Sequence, residues 1–345
     1  MFDISIIMST YNDEKTIRDC IDSVINQTYS NFEFIIINDC STDNTLEIIE
    51  SFKDNRIKII SNRKNMGLTS NLIGALKISN GKYIARMDAD DICTKKRLEM
   101  QINYLNEKQN VDILGTNAII INDEGKEIGV TNKPLKHDDI VNGLIIENQL
   151  IHPSVMMRKE IFEKINYDLA FKTCQDYKLW VDAVNICTFA NLADNCIFYR
   201  ISKKGISKTQ RKNIEERAKV LSDIHTELLK KKKLKLSNQN VSDYTKIVMG
   251  EKIDVDSLNE LREVIKTISN QTNIKFLLKL ISDKKIDCQG VKTSLLELQF
   301  IDIYNSFVIK MLLLRKYCKY LGFFKSIKIL FIKRIFGKDW EICNF

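Results

Sequence analysis

A chain of 345 residues with 44% hydrophobic and 28% charged side chains can bury a sizeable core, and its 2 Pro and 12 Gly exclude Pro- or Gly-rich linkers. Its net charge of +8 is concentrated at the end, where residues 305–345 hold nine Lys or Arg against two Asp or Glu. Nine Cys, none in Cys-x-x-Cys spacing, specify neither a zinc site nor a disulfide framework and read as free thiols of a reducing compartment. The start Met-Phe-Asp shows no secretory leader, and no stretch reaches about 18 apolar residues, so a cytoplasmic chain without a membrane span is expected.

Short apolar runs alternate with amphipathic stretches through the first half. Ile4–Met8 reads as a buried strand, and Asp13 is placed to cap a helix carrying Ile17, Ile21, Val24 and Ile25 on one face. Phe32–Ile37 is a second strand and Thr45–Phe52 a helix. Arg56–Ile60 is a third strand, followed by a helix through Asn71, Ala75 and Ile78 that Gly81 ends. Tyr83–Met87 is a fourth strand. This alternation predicts a mostly parallel, doubly wound α/β sheet.

After Lys95 the pattern changes. A helix through Leu98, Ile102 and Leu105 precedes a strand-like run, Val111–Asn122, with a hairpin turn at Asp123–Lys126. Asp138–Ile146 reads as a helix, His152–Arg158 as a strand, Asp176–Ile186 as a helix and Thr188–Ile201 as a pair of strands. From about Lys203 the texture is helical and basic, including the run Lys230–Lys235 and the segment Leu258–Leu280.

In an open parallel sheet, ligands bind beyond the carboxyl ends of the strands. Three such ends here are polar: Ser9-Thr10-Tyr11-Asn12, Asn38-Asp39-Cys40-Ser41-Thr42-Asp43 and Asp88-Ala89-Asp90-Asp91. Three carboxylates within four residues repel one another and call for a compensating cation, and hard oxygen ligands suit Mg²⁺ or Mn²⁺ on a phosphate substrate. Neither Gly-x-Gly-x-x-Gly nor a Gly-Lys-Ser/Thr loop is present, which removes the dinucleotide and P-loop readings.

Residues 1 to about 210 resemble glycosyltransferase family 2, the inverting GT-A transferases of bacterial surface-polysaccharide synthesis. The resemblance is carried by Met8–Asn12, Asn38–Thr45, Asn65-Met66-Gly67-Leu68 with Asn71, and Met87–Ile92 with Arg97-Leu98-Glu99. His152-Pro153-Ser154-Val155 and Gln175–Trp180 complete it. It implies a Rossmann-like GT-A domain over 1–210, with a nucleotide-sugar half (1–110) and an acceptor half (111–210); the texture of the sequence beyond it sets off a helical basic region over 211–345. It further implies that Thr10, Tyr11, Asn12, Asp39 and Asn65 hold a UDP-sugar, Asp88 touches the ribose and joins Asp90 on Mn²⁺ or Mg²⁺, and Arg200 clamps the diphosphate. Asp176 is the implied general base towards a glycan or lipid-linked acceptor. The sequence departs from the family pattern at Asn38 and Gln175, where acidic residues are common, and at Ser202, where a His is common.

The remaining candidates are bland. His152 either contacts a substrate or packs structurally, His137 and His225 read as surface residues, and Trp180 reads as core. In the tail, Tyr317, Tyr320, Leu321, Phe324, Phe331 and Ile335 form a stripe flanked by Lys316, Lys319, Lys325 and Lys333. Such a basic amphipathic pattern suits either an anionic membrane surface at the inner face of the plasma membrane or a helix packed on the catalytic domain with a solvated basic face. No nucleic-acid recognition module is visible. A non-catalytic nucleotide-sugar-binding protein or a scaffold protein of a polysaccharide assembly complex is the alternative from another class, and a polyprenyl-phosphate sugar transferase is a third reading.

Overall fold

The computed structural model describes residues 2–145, 147–202, 214–233, 241–242 and 245. In chain order the elements are β1 (Ile4–Thr10), α1 (Ile17–Ile25), β2 (Phe32–Asn38), α2 (Thr45–Ser51), β3 (Ile57–Ser61), α3 (Leu68–Ile78), β4 (Tyr83–Arg86), β5 (Ile92–Cys93) and α4 (Arg97–Glu107). There follow β6 (Ile113–Ile121), β7 (Glu127–Val130), α5 (His137–Gly143), β8 (Met156–Arg158), α6 (Gln175–Ala183), β9 (Phe189–Arg200) and α7 (Ile214–Lys231). The strands form one sheet in the order β3-β2-β1-β4-β8-β6-β9-β5, with β7 beside β6. Its four longest ladders, β1–β2, β2–β3, β1–β4 and β6–β9, are parallel, while β8, β5 and β7 pair antiparallel. This is the GT-A arrangement of mixed α/β elements.

The central strands are apolar on both faces because helices cover both. Ile7, Ile35, Ile37 and Ile84 face α3, α5, α6 and α7. Ile4, Ile6, Met8, Phe34 and Ala85 face α1, α2 and α4. Helix α7 packs Leu221, Ile224, Leu228 and Leu229 into the first of these cores.

The chain leaves β1 for β2 and β3 on one side and returns to β4 on the other. The switch point between β1 and β4 opens a crevice at their carboxyl ends, where the polar loops gather.

Several local expectations are corrected. Asp13 does not cap α1 with its side chain; its carboxylate turns back to accept from Thr10 Oγ1 (2.7 Å) and Tyr11 N–H (3.0 Å), while its carbonyl receives the N–H groups of Thr16 and Ile17. Helix α3 ends before Ser79, and Gly81 serves a close approach instead. A Cβ there would lie 2.4 Å from Ser5 N and 2.6 Å from the Ile4 carbonyl carbon. His152–Ser154 is a 3₁₀ turn, since Pro153 supplies no N–H to a ladder, and the strand is confined to β8. The pair of strands expected over 188–201 is the single strand β9. Its exposed centre, Ala193–Asn195, bows out at a register shift, where Asn117 Nδ2 donates to the carbonyls of Leu192 and Ala193.

His225 is buried between Tyr177 and Thr245. His137 is half-buried, accepting the Phe189 N–H at 3.1 Å, so neither is a surface histidine. Trp180 is fully buried, as expected. Among the described residues no helix is long and apolar enough to cross a membrane. The segments 203–207, 258–280 and 305–345 lie outside the described residues.

Candidate active site

The loops after β1 and β2 are laced together. Asn12 N–H donates to Ser41 Oγ (3.1 Å), and Asn12 Oδ1 accepts from Thr42 N–H (2.8 Å). Asn12 and Cys40 both adopt positive φ (59° and 65°), a conformation that turns each loop sharply at the crevice. Thr10 is buried, while Tyr11 is 47% exposed and free to meet a ligand face.

Asp39 organises the third loop. Its buried carboxylate accepts from Met66 N–H (2.8 Å), Gly67 N–H (2.9 Å) and Asn62 Nδ2 (2.8 Å). Burial opposes the charge, but the bonds from Met66, Asn62, Asn71 and Gly67 outweigh it and hold the carboxyl below its usual range. Asn71 also donates to Ser9 Oγ at 2.9 Å, so β1, β2 and α3 meet at this point. Asn65 is exposed on the loop that Asp39 anchors.

The acidic turn follows β4. Ligand oxygens of Asp88, Asp90 and Asp91 lie within 4.8 Å of one another. The fully buried Arg86 guanidinium pairs with Asp88 and donates to the Met87 carbonyl. Asp90 is driven up to about 7 by burial first and then by Asp88 and Asp13. Asp91 is fully buried and raised by burial, Asp90 and Asp88; its Oδ1 accepts from Arg200 N–H at 2.7 Å, and its Oδ2 has no hydrogen-bond partner. Three crowded carboxyls and an orphaned buried oxygen fit a divalent cation held by Asp88 and Asp90, with Asp91 behind them.

Arg200, the last residue of β9, lies directly against this turn. Its Nε donates to the Asp90 carbonyl (2.8 Å), and its Nη1 donates to the carbonyls of Asn122 (2.9 Å) and Asp123 (3.1 Å). Asp176 lies in the first turn of α6, and its Oδ2 accepts from Asn148 Nδ2 at 2.6 Å. The helix position alone predicts an easily ionised carboxyl, but its pKa is raised. Burial dominates over the N–H groups of Tyr177 and Asp176 itself, with Asp88 adding repulsion and Arg86 attraction. The charge of Asp88 is felt at Asp176, so the two carboxyls share one electrostatic neighbourhood. His152 is neutral packing, accepting or donating at Tyr167 Oη (2.7 Å) and edge-on to Trp180. Burial first and Arg86 second hold its pKa well below the ordinary value.

Three participants were missed in the sequence. Arg86 was signalled by a charge inside an otherwise apolar strand. Asp13 had been assigned to a helix cap. Asn148 carried no motif of its own.

The chain matches the family described as "Glycosyl transferase family 2" over residues 5–166. An uncharacterised glycosyltransferase of Haemophilus influenzae is 34% identical over 228 residues, covering 63% of this chain and 71% of the relative. The present chain belongs to glycosyl transferase family 2. The UDP-Glc:α-D-GlcNAc-diphosphoundecaprenol β-1,3-glucosyltransferase WfgD of Escherichia coli is 32% identical to this family-2 chain, over 64% of it and 85% of WfgD. The O-antigen biosynthesis glycosyltransferase WbnJ of Escherichia coli is 33% identical, over 60% and 82%. The crystal structure of S. aureus TarS 1–349 superposes with a TM-score of 0.55 at 18% identity, covering 81% of this chain and 83% of that one, and shares the GT-A fold. The family-2 match ends before α6, so Asp176 and Arg200 lie beyond it.

Proposed function

We propose that this glycosyltransferase is an inverting, divalent-metal-dependent enzyme that moves a hexose or N-acetylhexosamine from a UDP-sugar to a glycan or lipid-linked acceptor in surface-polysaccharide synthesis. The observation that carries the reading is the Asp88–Asp90–Asp91 cluster at the switch-point crevice, within electrostatic reach of Asp176. A UDP donor and a diphospholipid acceptor are supported by the names of WfgD and of WfaP, the latter 31% identical over 86% of its length.

In this reading Tyr11 offers its exposed face to the base, and Thr10, Asn12, Asp39 and Asn65 shape the nucleoside pocket. Asp88 and Asp90 hold the cation, which supplies Lewis-acid neutralisation of the leaving diphosphate. Arg200 adds positive charge beside that diphosphate. Asp176 takes the proton of the acceptor hydroxyl as its oxygen attacks the anomeric carbon; the bond to the diphosphate breaks and its electron pair leaves with UDP. The raised pKa of Asp176 suits a base that must bind that proton. A sugar acceptor carried on a lipid would bring the enzyme peripherally to the membrane, which the nine Lys or Arg among residues 305–345 suit.

Calorimetric titration of a nucleotide-sugar panel with Mn²⁺, Mg²⁺ or EDTA tests this reading. Metal-dependent binding of UDP-Glc or UDP-GlcNAc, lost in Asp90→Ala, is expected. Failure of any nucleotide sugar to bind under any metal condition would leave the scaffold reading in its place.

A further inference from the structure

We infer that Asn148 is a positioning residue for Asp176, holding its carboxylate in the one orientation that can receive a proton from the acceptor. The inference rests on the proposed role of Asp176 as base.

Asn148 lies on the segment between α5 and the His152–Ser154 turn. Its amide is fixed at both ends. Leu150 N–H donates to Asn148 Oδ1 at 3.0 Å, which identifies the oxygen end, so the opposite end that reaches Asp176 Oδ2 at 2.6 Å is the N–H₂ donor. The contact is therefore a neutral donor against a carboxylate, and it cannot reverse without losing both bonds. The Asn148 carbonyl in turn accepts from Lys133 Nζ at 2.8 Å. Gln149 Nε2 staples the segment by donating to the carbonyls of Gly143 and Glu147, both at 3.0 Å.

The neighbour of Asp176 grips the same segment. Tyr177 Oη donates to the Leu144 carbonyl and lies 3.3 Å from His225 Nε2 on α7. Two successive residues of α6 thus bond to Asn148 and to Leu144, and α7 backs the second of them.

The chemistry follows. With Oδ2 engaged by Asn148, Oδ1 is the oxygen that receives the proton as the acceptor oxygen bonds to the anomeric carbon and UDP departs. The donor amide also favours the ionised carboxyl, acting with the backbone N–H groups of α6 and Arg86 against burial and Asp88. Tyr167, Tyr199, Cys174 and Arg217 are the other titratable groups whose charges act on, or are acted on by, this neighbourhood. Removing the amide therefore both frees the carboxyl to rotate and makes it harder to ionise.

The test uses the full-length chain and UDP release from UDP-Glc or UDP-GlcNAc in Mn²⁺, read as kcat, donor KM and the pH profile. Asp176→Asn comes first: wild-type turnover in that variant, or no UDP release by wild type, overturns the functional reading and this inference with it. With Asp176→Asn inactive, Asn148→Ala should lower kcat about 10- to 100-fold with donor KM within about twofold. Its acidic limb should move up by about one pH unit. Asn148→Asp, nearly identical in shape and so expected to fold, should be at least as damaging because it replaces the donor by a like charge. Lys133→Met, which loosens the same segment without touching Asp176, should lower the melting temperature and leave the acidic limb in place. An unchanged kcat and profile in Asn148→Ala and Asn148→Asp, or the same limb shift in Lys133→Met, would overturn the positioning role alone.

Discussion

The main-chain N–H of Arg200 donates to Asp91 Oδ1 at 2.7 Å, tying the end of β9 to the acidic turn after β4. The Arg200 side chain reinforces the tie through the Asp90, Asn122 and Asp123 carbonyls. Within the acidic turn, Asp91 is thus a buried structural acceptor, whereas Asp88 and Asp90 are only partly buried. Asp91→Ala should cost about 1–3 kcal/mol in urea unfolding, because it leaves a donor without its acceptor. Asp91→Asn retains an oxygen for Arg200 and should cost less than about 1 kcal/mol. Equal losses would show that the carboxyl charge, not the hydrogen bond, is what the fold uses.

Asp39 and Gly67 form a second such tie, and two glycines separate its causes. Gly67 has φ 83° and ψ 155°, a region essentially reserved for glycine, yet a Cβ there would meet nothing within 4 Å. Gly67→Ala should therefore cost about 1–3 kcal/mol of backbone strain and weaken UDP-sugar binding by distorting the loop that Asp39 holds. Gly81→Ala meets the β1 backbone itself and should cost more than about 3 kcal/mol, with insoluble expression as the extreme outcome. The order of melting temperatures, wild type above Gly67→Ala above Gly81→Ala, is the check. A milder Gly81 variant would contradict the close approach.

What the sequence disclosed and what it hid divide along a physical line. The parallel core was legible because Ile4–Met8, Phe32–Ile37 and Tyr83–Met87 are apolar runs broken only by Ser5, Glu33 and Arg86, and only helices on both faces can cover them. The acidic turn was legible because Asp88, Asp90 and Asp91 crowd within four residues. Arg200's contact with Asp91 joins residues 109 apart, and the Asn148–Asp176 bond joins residues 28 apart; no local pattern announces either. Asp13 was misassigned because a capping carboxylate and one turned back onto its own loop have the same local sequence. His225 looked exposed beside the charged run Lys230–Lys235, yet a helix with one apolar face buries whichever polar residue shares it.

His152 gives the pH dependence a sign. Burial and the Arg86 charge hold its folded pKa well below the ordinary 6.5, so the unfolded chain binds a proton that the folded chain refuses. Its contribution to stability is present above about pH 6.5 and lost as the pH falls below it. Asp90, raised to about 7, works in the opposite sense: its contribution is greatest at low pH and is lost as the pH rises towards 7. The comparison must therefore be with a variant. Between about pH 6.5 and 5, wild type should lose stability more steeply than His152→Gln, by up to about 1.4 kcal/mol per pH unit. Glutamine keeps a polar end for Tyr167 without titrating. Parallel curves from chemical denaturation across that range would show that His152 does not charge on unfolding.

Cys174 sets the entry to the helix that carries the proposed base. It sits at φ 56° and ψ 23°, the left-handed region, and its carbonyl accepts from Lys178 N–H at 2.9 Å, so the first turn of α6 begins from a strained non-glycine residue. Glycine adopts that conformation without penalty, and Cys174→Gly should be neutral or stabilising by up to about 1 kcal/mol. A β-branched side chain is disfavoured there; Cys174→Val should lose about 1–2 kcal/mol. The strain should tilt the first turn as well, so kcat for UDP release should fall in Cys174→Val while donor KM stays near wild type, because Asp176 is displaced and the nucleoside loops are not. If both variants melt like wild type and turn over at the same rate, the left-handed entry is not what aims Asp176, and its aim would have to come from Asn148 and Tyr177 alone.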